Sequence, residues 1–313
     1  MLNVVAAVIH NSHGQLLLAQ RPLHKHQGGL WEFAGGKVDA GETAEQALVR
    51  ELQEELGITA TQYRSLLTVE HHYPDKSVRL NVFRVTAFDG EAHGAEGQPI
   101  AWVKPENLYD YQFPAANTPI LKAAVLPDMY CMTPEPTDVG GDLFAWLNQH
   151  LAQHSFLCLR AKQLSEAQYL TLAQKVADLC QQRQSTLIIH QHYQLLAQLP
   201  FAKGVHLTSQ QLAQGQSRQQ FALSPEQYLW VSTHDQQDLA KAWQIGADAA
   251  TLSPVCPTAS HPTQSAMGWQ VFQDTVKTAK LPVYALGGMT KEDVGLAQQQ
   301  GGQGVAGIRG LFT

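Results

Sequence analysis

The sequence predicts an α/β protein in two parts, a mixed β-sheet flanked by helices over residues 1–127 and a TIM (β/α)8 barrel over residues 128–313. Three observations carry this. At 313 residues the chain is too long for one small α/β domain and long enough for two buried cores. Between Pro127 and Gly141 the pattern breaks, punctuated by Pro127, Pro134, Pro136 and Gly140-Gly141. Beyond the break, eight short apolar runs alternate with helical stretches, the rhythm of parallel strands closed into a barrel.

In the first part, segments 3–9, 15–21, 63–71, 78–88 and 100–103 have strand character. Asn11-Ser12-His13-Gly14 supplies turn chemistry between the first two. Residues 43–56 read as a helix: Ala47, Leu48, Leu52 and Leu56 form one apolar stripe, Thr43 can cap its start and Gly57 suits its C-terminal turn. A further helix lies near 117–125. In the second part the strands fall at 129–133, 156–159, 187–189, 204–206, 229–231, 249–252, 283–286 and 304–308. Gly287-Gly288 after the seventh strand, and residues 307–310 after the eighth, lie where such barrels bind phosphate through backbone N–H groups.

Charge and cysteine usage narrow the function classes. Residues 1–127 carry 10 basic and 14 acidic side chains and residues 128–313 carry 11 and 13, so the halves stand at −4 and −2. Neither shows the basic balance of a nucleic-acid binder, and no nucleic-acid partner is expected. Cys131, Cys158, Cys180 and Cys256 lack metal-ligand spacing and read as reduced thiols of a cytoplasmic protein. The apolar start lacks a basic leader, and no stretch approaches the roughly 20 apolar residues of a membrane span, so neither export nor a membrane partner is expected. Nothing in the sequence fixes the oligomeric state.

The most informative segment runs from Gly36 to Ile58. Glu51, Glu54 and Glu55 sit at i, i+3 and i+4, so a helix gathers their carboxylates on one side, where mutual repulsion favours a bound cation. Mg²⁺, with Mn²⁺ as the alternative, suits a site of few carboxylates completed by phosphate oxygens and water. A solvated acidic helix face is the competing reading of the same charges. The wider pattern separates the two. Gly36, Glu42, Arg50-Glu51 and Glu54-Glu55-x-Gly57 fill every specified position of G-x5-E-x7-R-E-U-x-E-E-x-G-U, and the chain here resembles the Nudix hydrolases.

From Val4 to about Leu121 it resembles the MutT-type 8-oxo-dGTP diphosphatases, through Leu30-Trp31-Glu32-Phe33-Ala34-Gly35-Gly36-Lys37, Glu96-Gly97-Gln98-Pro99 and Phe113-Pro114-Ala115-Ala116-Asn117. The resemblance implies a Nudix α/β/α sandwich. It implies that Glu51, Glu54, Glu55, Glu96 and the carbonyl of Gly35 or Gly36 hold the metal, that Arg50 orients the carboxylates, and that Lys37 faces the phosphates. Glu51 or Glu54 would take a proton from the attacking water. It further implies that Asn117 reads an oxidised guanine edge, framed by Arg21 and Phe33; alone, Asn117 reads as a turn residue ahead of Thr118-Pro119. Ala34 stands where the family usually has Pro, which implies a looser loop.

From about Tyr130 to Phe312 the chain resembles the thiamine phosphate synthase and thiazole tautomerase family. The matching pieces are Leu159-Arg160-Ala161-Lys162, Gly204-Val205-His206-Leu207, Ser232-Thr233-His234, Leu252-Ser253-Pro254-Val255-Cys256-Pro257-Thr258 and Ala285-Leu286-Gly287-Gly288-Met289. Synthases carry acidic Mg²⁺ ligands after the third and fourth strands, where this chain has His190-Gln191 and Gln210-Gln211. A neutral amide does not replace that charge, which argues against synthase activity. In the tautomerase branch the His of S-x-H moves a proton, and His234 matches it. Arg160, Lys162, His234, Gly287 and Gly288 would then face a thiazole phosphate-like ligand. His190, His192 and His206 occupy ordinary barrel-loop positions, which weighs against reading them as a metal cluster.

The expected activity is Mg²⁺-dependent hydrolysis of an oxidised nucleoside triphosphate, 8-oxo-dGTP to 8-oxo-dGMP and pyrophosphate, which protects DNA replication from a mutagenic precursor. The alternatives are hydrolysis of a thiamine-pathway diphosphate, or thiazole phosphate binding or tautomerisation by the barrel.

Overall fold

The computed structural model describes residues 1–25, 27–74, 76–215, 217–224, 226–258 and 265–312. The chain divides into two compact units, Met1–Leu126 and Pro127–Thr313. Pro127 goes with the second because the Tyr284 hydroxyl donates to its carbonyl at 2.6 Å.

The first unit carries two three-stranded sheets. β1 (Leu2–Ile9) pairs parallel with β5 (Ser77–Asp89), which pairs antiparallel with β4 (Thr59–His72). β2 (Leu16–Gln20) pairs antiparallel with β3 (Trp31–Glu32) and with β6 (Ile100–Val103). α1 (Ala44–Leu56) begins at a capping box between Thr43 and Gln46, and ends at Gly57, whose φ of 67° is the left-handed conformation that glycine adopts freely. Its buried Ala47, Leu48, Leu52 and Leu56 form one core with Val5, Ala7, Leu17 and Ala34. A second core holds Leu16, Leu18, Phe33, Val82 and α2 (Thr118–Ala124). Buried Arg84 secures α2 by donating from Nη2 to the carbonyls of Ala123, Ala124 and Leu126 at 3.0, 3.2 and 3.3 Å. Beside it His10 is half-buried, and desolvation with the Arg84 charge lowers its pKa to about 4, so the ring is neutral at physiological pH.

The second unit is a closed barrel of eight parallel strands: β7 (Met129–Met132), β8 (Phe156–Leu159), β9 (Thr186–His190), β10 (Ala202–Leu207), β11 (Tyr228–Thr233), β12 (Ala249–Leu252), β13 (Val283–Leu286) and β14 (Gly304–Gly307). Helices α3 (Leu143–His150), α4 (Glu166–Gln182), α5 (Ser209–Ala213), α6 (Gln236–Gln244), α7 (Gly268–Val276) and α8 (Val294–Gln299) connect them. The link from β9 to β10 carries a 3₁₀ turn, Tyr193–Gln198, instead of a full helix. Residues facing outward along the strands join the helices in the main core, Leu157, Ile189, Val205, Val231 and Val283 among them. Inside, Trp230 stacks on Tyr130 at 3.9 Å between ring centres and lies 4.9 Å from Tyr284. That interior is a packed core and not a channel.

Because Trp230 is fully buried in this stack, Trp230→Ala should destabilise the barrel by about 3–5 kcal/mol. A lowered urea midpoint for the barrel transition, with the other transition unmoved, would bear this out; an unchanged midpoint would contradict it.

Candidate active site

The site in the first unit is built on the edge of α1. Backbone bonds from Val5 and Ala7 to the carbonyls of Gly36 and Ala34, both 2.8 Å, hold the Gly35-Gly36 turn against β1. At Ala34, where a looser loop is expected, the side chain is buried and the carbonyl is paired. The Gly35 N–H donates to Glu55 Oε2 at 3.0 Å. The Glu51 carboxylate lies so close to Gly36 that a Cβ there would sit 2.2 Å from it. Only glycine lets the turn and that carboxylate approach.

Arg50 binds the other carboxylates. Its Nε and Nη2 donate to the two oxygens of Glu42, each at 2.9 Å, and Nη1 donates to Glu51 Oε1 at 2.9 Å and Glu54 Oε2 at 3.1 Å. Nη2 also reaches the Lys37 carbonyl at 2.9 Å, while the Lys37 side chain is exposed. The same guanidinium depresses the Glu42 pKa, chiefly by hydrogen bonding.

Glu96 is exposed on a loop docked to the end of α1: Ala95 N–H and Gln98 Nε2 donate to the Glu55 carbonyl at 2.9 and 2.8 Å, and His93 N–H to that of Leu56 at 3.1 Å. Lys25 Nζ lies 3.5 Å from Glu96. Burial raises the Glu55 pKa to about 7, against the lowering by the Gly35 N–H, and the charges of Glu32, Glu51 and Glu96 push it further up. Among the described residues no three His, Cys, Asp or Glu side chains already converge as a closed cation cage. The donor set nonetheless fits a hard divalent ion. Three glutamates and a glycine carbonyl with a second lone pair supply oxygens, phosphate and water can complete the shell, and the excess negative charge around Glu55 is what a cation would neutralise.

On the opposite face of β3, Phe33 is buried and stacked on Phe113, with ring centres 5.8 Å apart. Asn117 stands in the turn before α2, 8% exposed, and its side chain makes no capping bond to that helix. Arg21 forms an ion pair with Glu32, a residue to which sequence reasoning gave no role. The signal was available only through the pairing of β2 with β3.

In the barrel, the expected residues all lie at the C-terminal ends of strands. Arg160 pairs with Glu135 at 3.0 Å, and the Glu135 carboxylate also accepts from the backbone N–H groups of Lys162 and Gln163 at 3.3 and 3.4 Å. Desolvation, then Arg160, lowers the Lys162 pKa. His206 hydrogen bonds to the Tyr130 hydroxyl through Nδ1 at 3.1 Å and to Ser232 Oγ through Nε2 at 2.8 Å, and burial lowers its pKa to about 3. His190 is likewise buried and neutral, while the His192 ring lies 4.5 Å from that of Tyr169. Gln211 is committed at both ends: Oε1 accepts from Thr208 N–H at 3.0 Å and Nε2 donates to the Gln191 carbonyl at 2.8 Å. Exposed His234 donates from Nδ1 to the Ser253 carbonyl at 2.9 Å, leaving Nε2 with a free lone pair. Gly287 and Gly288 have φ of 106° and 69° and pack against the Pro254–Pro257 segment, where a Cβ would lie 3.0 Å from Pro254 and 2.9 Å from the Pro257 carbonyl. Their first duty is that close packing.

The first unit thus gathers carboxylates on one helix beside a glycine turn, and the second is a β/α barrel with a polar mouth. The model of the NUDIX domain matches residues 5–123, and that of thiamine monophosphate synthase residues 129–311. The chain belongs to the Nudix family through its N-terminal domain and to the thiamine monophosphate synthase family through its C-terminal one. Over 123 residues, 39% of this chain and 90% of the relative, it is 43% identical to the CTP pyrophosphohydrolase of Escherichia coli K12. Over 120 residues, 38% of this chain and 93% of the relative, it is 38% identical to the 8-oxo-dGTP diphosphatase of the same organism. Its barrel is 31% identical over 184 residues, 58% of this chain and 96% of the relative, to an Aquifex aeolicus protein provisionally named thiamine-phosphate synthase 2. The N-terminal domain is a pyrophosphohydrolase of the Nudix type. No described helix is long and apolar enough to cross a membrane.

Two outcomes follow from this geometry. Gly36→Ala should leave stability within about 1 kcal/mol, because only the flexible end of Glu51 must move, yet it should abolish most of the cation affinity measured by titration calorimetry; a folded variant that binds normally would contradict it. For Glu55, a folded-state pKa of about 7 above the ordinary 4.5 means that protonation stabilises the metal-free fold, fully below pH 4.5, and that this contribution is lost as pH rises through 7. Cation affinity should therefore climb with pH up to about 7 with proton release on binding, and Glu55→Gln should remove that release.

Proposed function

We propose that the N-terminal domain hydrolyses 8-oxo-dGTP to 8-oxo-dGMP and pyrophosphate, using Mg²⁺ or Mn²⁺, and so clears an oxidised precursor before DNA replication uses it. The observation that carries this reading is the buried Asn117, whose amide makes no capping bond, four residues beyond the Phe113 that stacks on Phe33, in the same domain as the motif carboxylates. A side-chain amide offers a donor and an acceptor together and can match a purine edge that presents both.

Glu51, Glu54, Glu55, Glu96 and the carbonyl of Gly36 would hold the cation, which neutralises attacking and departing anions and lowers the pKa of water. The water attacks the β-phosphorus, and the nucleoside monophosphate departs. Glu51 or Glu54 receives the proton. Arg50 keeps both from swinging away, since its Nη1 spans them at 2.9 and 3.1 Å. Lys37, exposed beside the turn, faces the phosphates.

For the barrel we propose phosphate-ester binding without Mg²⁺-diphosphate chemistry, with a thiazole phosphate-like ligand at the mouth. The specific support is His234, whose Nδ1 is tied to a carbonyl so that Nε2 can accept a proton, together with Gln211, whose amide is fully committed where a synthase needs an acid.

The deciding measurement is kcat/KM with Mg²⁺ on 8-oxo-dGTP, dGTP, CTP and the thiamine pyrimidine diphosphate, reading pyrophosphate and phosphate separately. Preference for 8-oxo-dGTP with pyrophosphate release is expected, and Glu54→Gln or Glu55→Gln should lower turnover by orders of magnitude in a folded protein. Preference for CTP or for the pyrimidine diphosphate would overturn the substrate, and near-normal turnover in both variants would overturn the site. For the barrel, thiazole phosphate should bind the full chain, and no thiamine phosphate should form.

A further inference from the structure

The last four carbonyls of a helix have no partner inside it and are left to whatever packs against that end. At the end of α1 those of Glu55 and Leu56 are taken by the segment that joins β5 to β6. His93 N–H donates to the Leu56 carbonyl at 3.1 Å, and the Glu55 carbonyl accepts twice, from Ala95 N–H at 2.9 Å and from Gln98 Nε2 at 2.8 Å. The other end of the same amide is also engaged: Gln98 Oε1 accepts from the Glu96 N–H at 2.9 Å. Turning the amide over would set donor against donor and carbonyl against carbonyl, so its neighbours fix its orientation. Gln98 is half-buried and anchored, because the next residue, Pro99, leads into β6 and its carbonyl accepts from the Gln20 N–H of β2 at 2.9 Å. Gly97 N–H donates to the Gly94 carbonyl, also at 2.9 Å, and closes a turn with Ala95 and Glu96 at its centre. A Cβ at Gly94 would collide with the Gln98 carbonyl oxygen, so glycine is what lets the turn lie this close.

We infer that Gln98 is the positioning residue of Glu96: its amide ties the Glu96 backbone to the end of the helix that carries Glu51, Glu54 and Glu55, and so holds Glu96 beside the carboxylates with which it would share a cation. This rests on the reading above that Glu96 is one of the cation's ligands. Glu96 is gripped by its N–H and not by its carboxylate, which is exposed and meets Lys25 Nζ at 3.5 Å. The carboxylate can therefore turn while its backbone stays in place. The bond from Gln98 to the Glu55 carbonyl crosses 43 residues of sequence. Without it the segment would have to be ordered at the moment of binding, which lowers affinity.

The test uses the full-length protein and Mn²⁺ without nucleotide. It compares Gln98→Met, which keeps the length of the side chain and loses the amide, with Gln98→Asn, Glu96→Gln and the Gln98→Met/Glu96→Gln double variant. Hydrogen exchange of the Glu96 amide in the cation-free protein reports the clamp, and titration calorimetry reports the cation. In Gln98→Met the Glu96 amide should exchange about 10-fold faster while the amides of β1 and β5 keep their protection, and Mn²⁺ affinity should fall about 10- to 100-fold. Gln98→Asn, one methylene too short to span both partners, should behave alike and serves if Gln98→Met does not fold. Glu96→Gln should weaken Mn²⁺ binding as well. The double variant should bind no worse than the weaker single one, because Gln98 acts through Glu96.

Normal Mn²⁺ affinity in Gln98→Met and Gln98→Asn beside a weakened Glu96→Gln would overturn the inference and keep Glu96 as a ligand. Additive losses in the double variant would overturn it too, since a purely structural contribution of Gln98 would persist without the Glu96 carboxylate. Normal affinity in Glu96→Gln would remove Glu96 from the cation site, and the positioning role with it, whatever the exchange of its amide.

Discussion

One guanidinium holds the N-terminal site together. All five N–H donors of Arg50 are used: two on Glu42, one each on Glu51 and Glu54, and one on the Lys37 carbonyl. These partners come from the residue after the Gly35-Gly36 turn, from the loop before α1 and from α1 itself. Without a central positive charge, carboxylates at i, i+3 and i+4 would repel one another and the loop would have no reason to fold back on the helix. Because the fork is planar and always charged, its partners are fixed in direction as well as distance. Glu55 is the exception. It turns to the Gly35 N–H, and its pKa is raised chiefly by burial, with the neighbouring charges of Glu32, Glu51 and Glu96 adding to the shift.

The barrel solves the opposite problem. Polar atoms in its interior are costly away from water, and His206 is satisfied there by neutral partners, the Tyr130 hydroxyl at 3.1 Å and the Ser232 hydroxyl at 2.8 Å, while Trp230 Nε1 and Thr251 Oγ1 are buried without a partner. Near the ends of β8 and β9 the nearby charges are cationic, Arg160 and Lys162, with Glu135 as the paired anion. These charges and their burial keep His190 and His206 neutral. Such a mouth suits an anion. Among the described residues no cluster of acids stands there that could hold a metal ion, and the Gln211 amide is tied to Thr208 and to the Gln191 carbonyl.

Much of this was legible in the sequence because it is local. The apolar stripe of α1, the Thr43 cap and Gly57 lie within one helix length, and the eight barrel strands announce themselves as short apolar runs between turns. The motif spacing placed Glu51, Glu54 and Glu55 together because helical geometry is fixed. What stayed hidden depends on register between distant segments. β3 is two residues long, too short for any periodicity, so Glu32 passed as part of a motif string. The engagement of Gln211 with Gln191 crosses 20 residues and requires the fourth strand to lie beside the third. The 3₁₀ turn after β9 has the apolar spacing of a short helix, and the closeness of the next strand cuts it short.

The same two-residue strand separates the two ends of the candidate site. Glu32 and Phe33 are consecutive, yet pleating sends one towards Glu55 of α1 and the other to Phe113 and the core of Leu16 and Leu18. A slip of one residue in the pairing of β2 with β3 would exchange them, putting a charge among Leu16, Leu18 and Phe113 and an aromatic ring beside Glu55. That exchange is costly on both faces, so the register is strongly specified by burial alone. It is further fixed by the bonds from Val5 and Ala7 to the segment that follows. Strand alternation thus parts neighbours in the sequence: Phe33 and Ala34, one position apart, join different cores, and proximity along the motif is a poor guide to which face a side chain serves.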